Sequence, residues 1–87
     1  MKIKTGFVLR NICDSYVVVA VGTRAEDFKG MIKLNDTGAF LWQRLQQERT
    51  REELLAAMLE EYDVDSVTAA NGIGSFIDTL RQNDLLD

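Results

Sequence analysis

The first third of the chain has the pattern of a β-hairpin followed by a short strand. Residues Phe7 to Val21 are rich in β-branched and aromatic side chains, and the turn-forming cluster Cys13–Ser15 divides them. The polar stretch Gly22–Gly30 predicts a loop anchored by Phe28. Residues Gly30–Leu34 then predict a third strand.

Three helices are predicted after this strand, because each has a start signal. Asn35 is a good N-cap, and Thr50 with Glu53 forms the Thr-x-x-Glu pattern of a capping box. Ser66 is the predicted cap of the third helix, and Asn83 is its predicted end. Helical spacing predicts the inward-facing residues of that helix to be Ala70, Ile73, Phe76, Ile77 and Leu80.

The element order predicts an α+β fold in a single domain covering residues 1–87. A three-stranded antiparallel sheet followed by three helices is similar to a winged helix-turn-helix with its hairpin placed first. Phe40 and Trp42 are predicted to belong to the core, because aromatic residues at helical spacing usually do. Leu85 and Leu86 are expected to fold back as a short tail.

Composition excludes several classes of chemistry. The chain contains no His and one Cys, so a Ser-His-Asp triad, a zinc cluster and a disulfide framework are ruled out. Cys13 is predicted to be a small buried hydrophobe. No apolar run approaches the length of a membrane span, and no signal peptide is evident, so a cytoplasmic protein is expected. No catalytic residue, metal or cofactor is predicted.

Charge is divided unevenly along the chain. Residues 1–34 carry a net charge of +3, residues 35–65 carry −5 and residues 66–87 carry −2. Lys29 directly precedes the predicted third strand and Lys33 lies on it, and no later segment is predicted to pair with its outer edge. This edge is therefore predicted to accept an added strand, and the two lysines would attract an acidic peptide.

Two glycines in the predicted third helix have two possible explanations. Gly72 and Gly74 each cost about 1 kcal/mol relative to Ala in a helix interior, so the absence of a side chain must bring an advantage. One explanation is close packing against another helix, and the other is a shallow groove left open for another chain.

Several stretches resemble the PqqD family, named after pyrroloquinoline quinone biosynthesis protein D. The resemblance lies in residues 28–42, in the Tyr16 strand, in Leu54 to Asp65 and in Ile73 to Leu86. It implies the fold of a RiPP recognition element, where RiPP denotes a ribosomally synthesised and post-translationally modified peptide. Such domains bind the leader segment of a precursor peptide.

The resemblance implies a non-catalytic peptide chaperone in natural product biosynthesis. The leader would add as a strand beside the third strand, against the third helix, and would be presented to a modifying enzyme such as a radical S-adenosylmethionine (SAM) enzyme or a leader peptidase. The residues that the resemblance assigns to peptide binding are Phe28, Gly30, Met31, Ile32, Lys33, Leu34, Ala69, Gly72, Ile73, Phe76 and Leu80.

Two other functions remain open at this stage. A winged-helix DNA-binding regulator would use the third helix, which offers Arg81, Asn71 and Gln82 but also Asp78. Because phosphate contacts dominate DNA affinity, this helix is poorly equipped for that role. The other possibility is a structural adaptor that docks a protein through the acidic segment 35–65.

Overall fold

A tight two-residue turn shapes the hairpin at the start of the fold. In the computed structural model, which describes residues 1–27 and 30–87, strands β1 (Phe7–Ile12) and β2 (Ser15–Ala20) pair antiparallel from Phe7↔Ala20 to Ile12↔Ser15. Cys13 and Asp14 between them have φ values of 51° and 64°. Positive φ at both central residues defines a type I′ turn, whose twist matches that of the strands.

The prediction that Cys13 is buried is wrong. Its side chain is exposed, because the residue occupies the tip of the turn and not the end of a strand.

Strand β3 (Ile32–Leu34) lies at one edge of the sheet. The strand order is β1-β2-β3, and β3 pairs antiparallel with β2 from Tyr16↔Leu34 to Val18↔Ile32. The strand begins two residues later than predicted, at Ile32. The connection before it is not all loop, since Arg24–Asp27 forms the short helix α1. Phe28, the predicted anchor, lies outside the described residues together with Lys29.

Helices α2 (Asp36–Arg44), α3 (Arg51–Glu61) and α4 (Ser66–Gln82) follow, each with a side-chain cap. The Asn35 side chain accepts a hydrogen bond from the Gly38 N–H at 2.8 Å. The predicted capping box at the start of α3 is confirmed, with both of its hydrogen bonds formed. The cap of α4 is Asp65, which accepts from the Thr68 N–H at 2.7 Å, so the prediction of Ser66 is wrong by one residue.

The core lies between the inner face of the sheet and the three longer helices. Trp42 is buried as predicted, whereas Phe40 is half-buried and meets the Tyr62 ring edge-on, with 5.5 Å between centroids. On α4 the buried alanine is Ala69, and Ala70 is exposed, which corrects the predicted inward face. The other four residues predicted to face inward from α4 are buried, namely Ile73, Phe76, Ile77 and Leu80.

The C-terminal tail folds back onto the N-terminal segment, as predicted. The Lys4 N–H donates to the Leu85 carbonyl oxygen, and the Asp87 N–H donates to that of Lys2, both at 2.8 Å. Ile3 and Leu86 form an isolated antiparallel bridge between these two hydrogen bonds. The tail is thereby fixed at a site distinct from the β3 edge.

The α+β fold predicted from the sequence is confirmed, with α1 as an additional helical turn. Within residues 1–27 and 30–87, no helix combines the length and apolarity required to cross a membrane.

Candidate functional site

The hydrogen-bond phase of the hairpin determines which backbone groups of β2 face β3. In a tight turn the flanking residues Ile12 and Ser15 are the hydrogen-bonded pair, and such pairs then alternate along the ladder. The bond from the Val21 N–H to the Gly6 carbonyl oxygen, at 2.8 Å, falls where this alternation requires it. Val17 therefore directs its backbone groups toward β1, whereas Tyr16 and Val18 direct theirs toward β3.

The same alternation continues into β3. Leu34 and Ile32 stand opposite Tyr16 and Val18, so their backbone groups face β2. Lys33 stands opposite Val17, and its N–H and carbonyl oxygen consequently point away from the sheet. No strand of the described chain pairs with this outer edge. Lys33 thus offers one unpaired donor and one unpaired acceptor to an incoming strand.

A cleft of about 290 Å³ opens between the end of β3 and helix α4. Phe76 at its base is only 7% exposed, and the Thr79 hydroxyl on its rim donates to the Ser75 carbonyl oxygen at 3.1 Å. The residues that line it are Lys33, Leu34, Asn35, Thr37, Gly38, Leu41, Gly72, Ser75, Phe76 and Thr79. The cleft therefore combines an apolar base with hydroxyl groups at its opening.

Glycines on both sides of the cleft have different roles. A Cβ atom added at Gly38 would come within 3.1 Å of Asn35 Oδ1 and 3.3 Å of Leu34 Cβ, so glycine lets the first turn of α2 approach the end of β3. A Cβ atom added at Gly72 would meet no described atom within 4 Å outside its own stretch of helix. At Gly74 the nearest such atom is Arg51 Nη1, at 3.8 Å.

These distances decide between the two explanations for the glycines of α4. Close helix packing would place another element against the missing Cβ positions. Among the described residues, Gly72 has no such contact, and at Gly74 the contact is the guanidinium end of the exposed Arg51 side chain. Gly72 instead lines the cleft, so the interpretation as an open groove is the one that fits.

The structure separates the residues assigned to peptide binding into four groups. Lys33, Leu34, Gly72 and Phe76 line the cleft. Ile32 lies half-buried against the core, while Gly30 and Met31 are exposed just before β3. Buried in the core beneath the cleft are Ala69, Ile73 and Leu80. Phe28 lies outside the described residues.

Sequence reasoning missed several residues that line the cleft. On α4 these are Ser75 and Thr79, whose hydroxyl groups look like ordinary solvent-facing positions in a helical pattern. The missed residues on the other wall are Asn35, Thr37, Gly38 and Leu41. The capping role of Asn35 was the only available signal, because a residue that caps α2 directly after β3 must lie beside the strand edge.

Charge around the cleft does not favour the alternative of DNA binding. The only basic side chain of α4 is Arg81, and Asp78 precedes it on the same helix. A recognition helix needs several cations for phosphate contacts. Among the described residues, no cluster of three or more His, Cys, Asp or Glu side chains could hold a metal ion.

Comparisons with known proteins agree with this geometry. The family model described as "Coenzyme PQQ synthesis protein D (PqqD)" matches residues 15–86. The structure of TbiB1 in complex with the TbiA(beta) leader peptide is 28% identical, with a TM-score of 0.76, and the match covers 100% of this chain and 95% of that one.

A second solved structure shares the fold. Lasso peptide synthetase B1 complexed with the leader peptide is 20% identical, with a TM-score of 0.72, and the match covers 97% of this chain and 93% of that one. Comparison with curated protein sequences finds no match. Because the family model spans more than four fifths of the sequence, this chain belongs to the PqqD family of leader-peptide-binding domains.

Proposed function

We propose that this chain binds the leader segment of a ribosomally synthesised precursor peptide as an added strand and presents it to a modifying enzyme. The observation that carries the proposal is the outward-facing N–H and carbonyl oxygen of Lys33, next to an open cleft. Family membership supports the class of ligand. The structure of TbiB1, a protein of the same fold, is that of its complex with a leader peptide.

Backbone pairing at β3 supplies affinity for an extended peptide of any sequence. An added strand forms main-chain hydrogen bonds with the free edge, and each typically contributes about 0.5–1.5 kcal/mol net. Met31, one pleat before Lys33, is positioned to extend this edge, since it is exposed and directly precedes β3. A strand of only three residues thus needs further contacts from side chains to hold its ligand.

Alternate side chains of the peptide would supply those contacts. Successive residues of a strand point to opposite faces, so every second leader residue would point into the cleft, toward Gly72 and Phe76. The open space at Gly72 admits a large side chain there. The proposed peptide-binding residues remain those assigned above, with Ala69, Ile73 and Leu80 supporting the cleft from the core.

The proposed role is non-catalytic, as is general for leader-binding proteins of this family. The domain would raise the effective concentration of the precursor at its enzyme and fix its orientation. A radical SAM enzyme or a leader peptidase is the proposed partner, and the cytoplasm is the proposed location.

The test compares the affinity for a leader peptide of two variants that differ at one position. The ligand is a fluorescein-labelled synthetic peptide with the sequence of the TbiA(beta) leader, with which the similar protein TbiB1 forms a complex, and the readout is fluorescence polarisation. Lys33→Pro removes the outward N–H and places a ring in the path of the added strand, while the hydrogen bonds to β2 remain. Lys33→Ala removes the charge and keeps the N–H.

Proline should weaken leader binding at least about tenfold more than alanine, because it removes a hydrogen bond and adds a steric block. Circular dichroism confirms that both variants are folded. Equal affinities for the two folded variants would contradict strand addition at β3. Ile32→Asp and Phe76→Asp, in preparations that circular dichroism shows to be folded, should also weaken binding, because each places a carboxylate among the apolar residues at or next to the cleft.

A further inference from the structure

One row of side chains crosses the sheet and ends at the open edge. The pairing register places Arg10, Val17 and Lys33 side by side on β1, β2 and β3. This row projects from the face opposite the core, since the neighbouring residues Val18 and Ile32 lie in or against the core cluster. Val17 is buried, and in the pairing register it stands between two long cationic side chains.

An added strand would extend this row by one residue. Whether the peptide runs parallel or antiparallel, the residue abreast of Lys33 has its side chain on the same face as the lysine, because pleats of neighbouring strands are in phase. In an antiparallel pair the two Cβ atoms lie about 4.5–5.5 Å apart. The residues immediately before and after it would point to the other face, which is the face of the cleft.

Among the described residues, no carboxylate forms an ion pair with the cationic end of this row. Asp14 and Asp36 line a shallow depression next to Lys33, yet the described residues contain no ion pair to its ammonium group. Arg10, two strands away in the same row, likewise forms no ion pair with the described residues. A carboxylate on the added strand would therefore meet an exposed lysine with no competing ion pair from the described chain.

We infer that the leader segment carries an acidic residue abreast of Lys33, flanked on both sides by apolar residues that enter the cleft. This inference depends on the proposed function, since it assumes strand addition at β3. The site would then be selective for peptides with the local sequence pattern apolar–acidic–apolar, and would not bind every extended peptide equally. The backbone contacts set the register, and the single charge contact helps to select the sequence.

The test is a selection of random dodecapeptides by phage display against three immobilised proteins. These are the wild type, Lys33→Glu and the matched control Lys2→Glu, which makes the same charge change at an exposed residue beside the C-terminal tail. The wild-type and Lys2→Glu pools should share an acidic residue between two apolar ones. The Lys33→Glu pool should keep the apolar positions and replace the acid by Lys or Arg.

Affinities of synthetic peptides then measure the size of the effect. Exchanging the central acid for Lys in a selected peptide should weaken wild-type binding about two- to fivefold, and the same exchange should strengthen Lys33→Glu binding by a similar factor. Both effects should shrink as salt is raised, because the pair is exposed.

The possible failures are distinguishable. Pools that keep alternating apolar positions but show the same central residue for wild type and Lys33→Glu would overturn the inference and leave strand addition intact. A wild-type pool with no shared extended pattern would overturn both the inference and the proposed function.

Discussion

Two short extended segments of this domain differ in whether the protein itself pairs with their backbone. Residues 2–4 are closed by the protein's own tail, with hydrogen bonds to Leu85 and Asp87 on either side of the Ile3↔Leu86 bridge. Strand β3 is about as long, and the described chain provides no partner for its outer edge. The ion pair between Lys4 and Asp84, at 2.8 Å, adds a further contact at the closed segment.

The comparison indicates that the segment whose pairing stabilises the fold is separate from the edge proposed to bind the leader. The closed segment is hydrogen-bonded to the backbone of Leu85, whose side chain is fully buried among the core residues. The open edge lies beside a cleft whose helix wall lacks a side chain at Gly72. Substitutions in the two places should therefore affect different measurements.

The largest effect is expected at the closed segment. Leu85→Ala should lower the free energy of unfolding by about 2–5 kcal/mol, because it leaves a cavity in the core. Urea denaturation measures the loss, and Leu86→Ala, at a half-buried neighbour, should cost less. Leader affinity of the folded fraction should stay unchanged. Loss of affinity without loss of stability would show that the tail contributes to the binding edge.

The next effect concerns the open edge and uses the two glycines as a matched pair. Gly72→Met and Gly74→Met should each raise the free energy of unfolding by about 0.5–1 kcal/mol, since both positions are helical and an added Cβ atom would meet no described atom outside α4 closer than 3.8 Å. Only Gly72→Met should weaken leader binding, by about tenfold, because its side chain would enter the cleft. Equal affinities for the two variants would place the ligand elsewhere.

The smallest effect is expected from the ion pair of the closed segment. The hydrogen bond from Lys4 lowers the pKa of Asp84 below its usual 3.8. The carboxylate therefore stabilises the fold above pH 3.8, and this contribution is lost as the pH falls through the lowered value. Asp84→Asn, which tolerates the φ of 56° at this position, should reduce the loss of stability on acidification.

Unfolding by urea at a series of pH values checks this expectation. The acid-induced decline should not disappear, because the pKa values of the cap carboxylates Glu53 and Asp65 are lowered by their hydrogen bonds to backbone N–H groups. A decline of the same size in the wild type and Asp84→Asn would contradict a role for this ion pair.

Local signals made parts of the fold predictable from the sequence. The capping box at Thr50 needs only residues three positions apart, and it formed as predicted. Asp65 and Ser66 are both good caps, so the pattern located the start of α4 to within one residue. The free β3 edge was also predictable, because no later strand pattern follows it.

The rest depends on contacts that a pattern does not encode. Helical spacing predicts that Ile73 and Leu80 face inward, but it does not identify the residues that cover them. Both side chains are fully buried. Ser75 and Thr79 line the cleft because α4 faces the end of β3, which is a tertiary relation. The exposure of Cys13 follows from a turn type that its neighbours did not specify.

The single lysine on β3 also bears on how the domain behaves at high concentration. Unpaired strand edges are sites where identical chains stack into aggregates. If two copies met edge to edge about Lys33, the two ammonium groups would stand abreast, and like charges directly opposite are destabilising. Lys33, which favours an acidic peptide, thus disfavours self-association. A Lys33→Val variant should therefore lose both solubility and selectivity for its ligand.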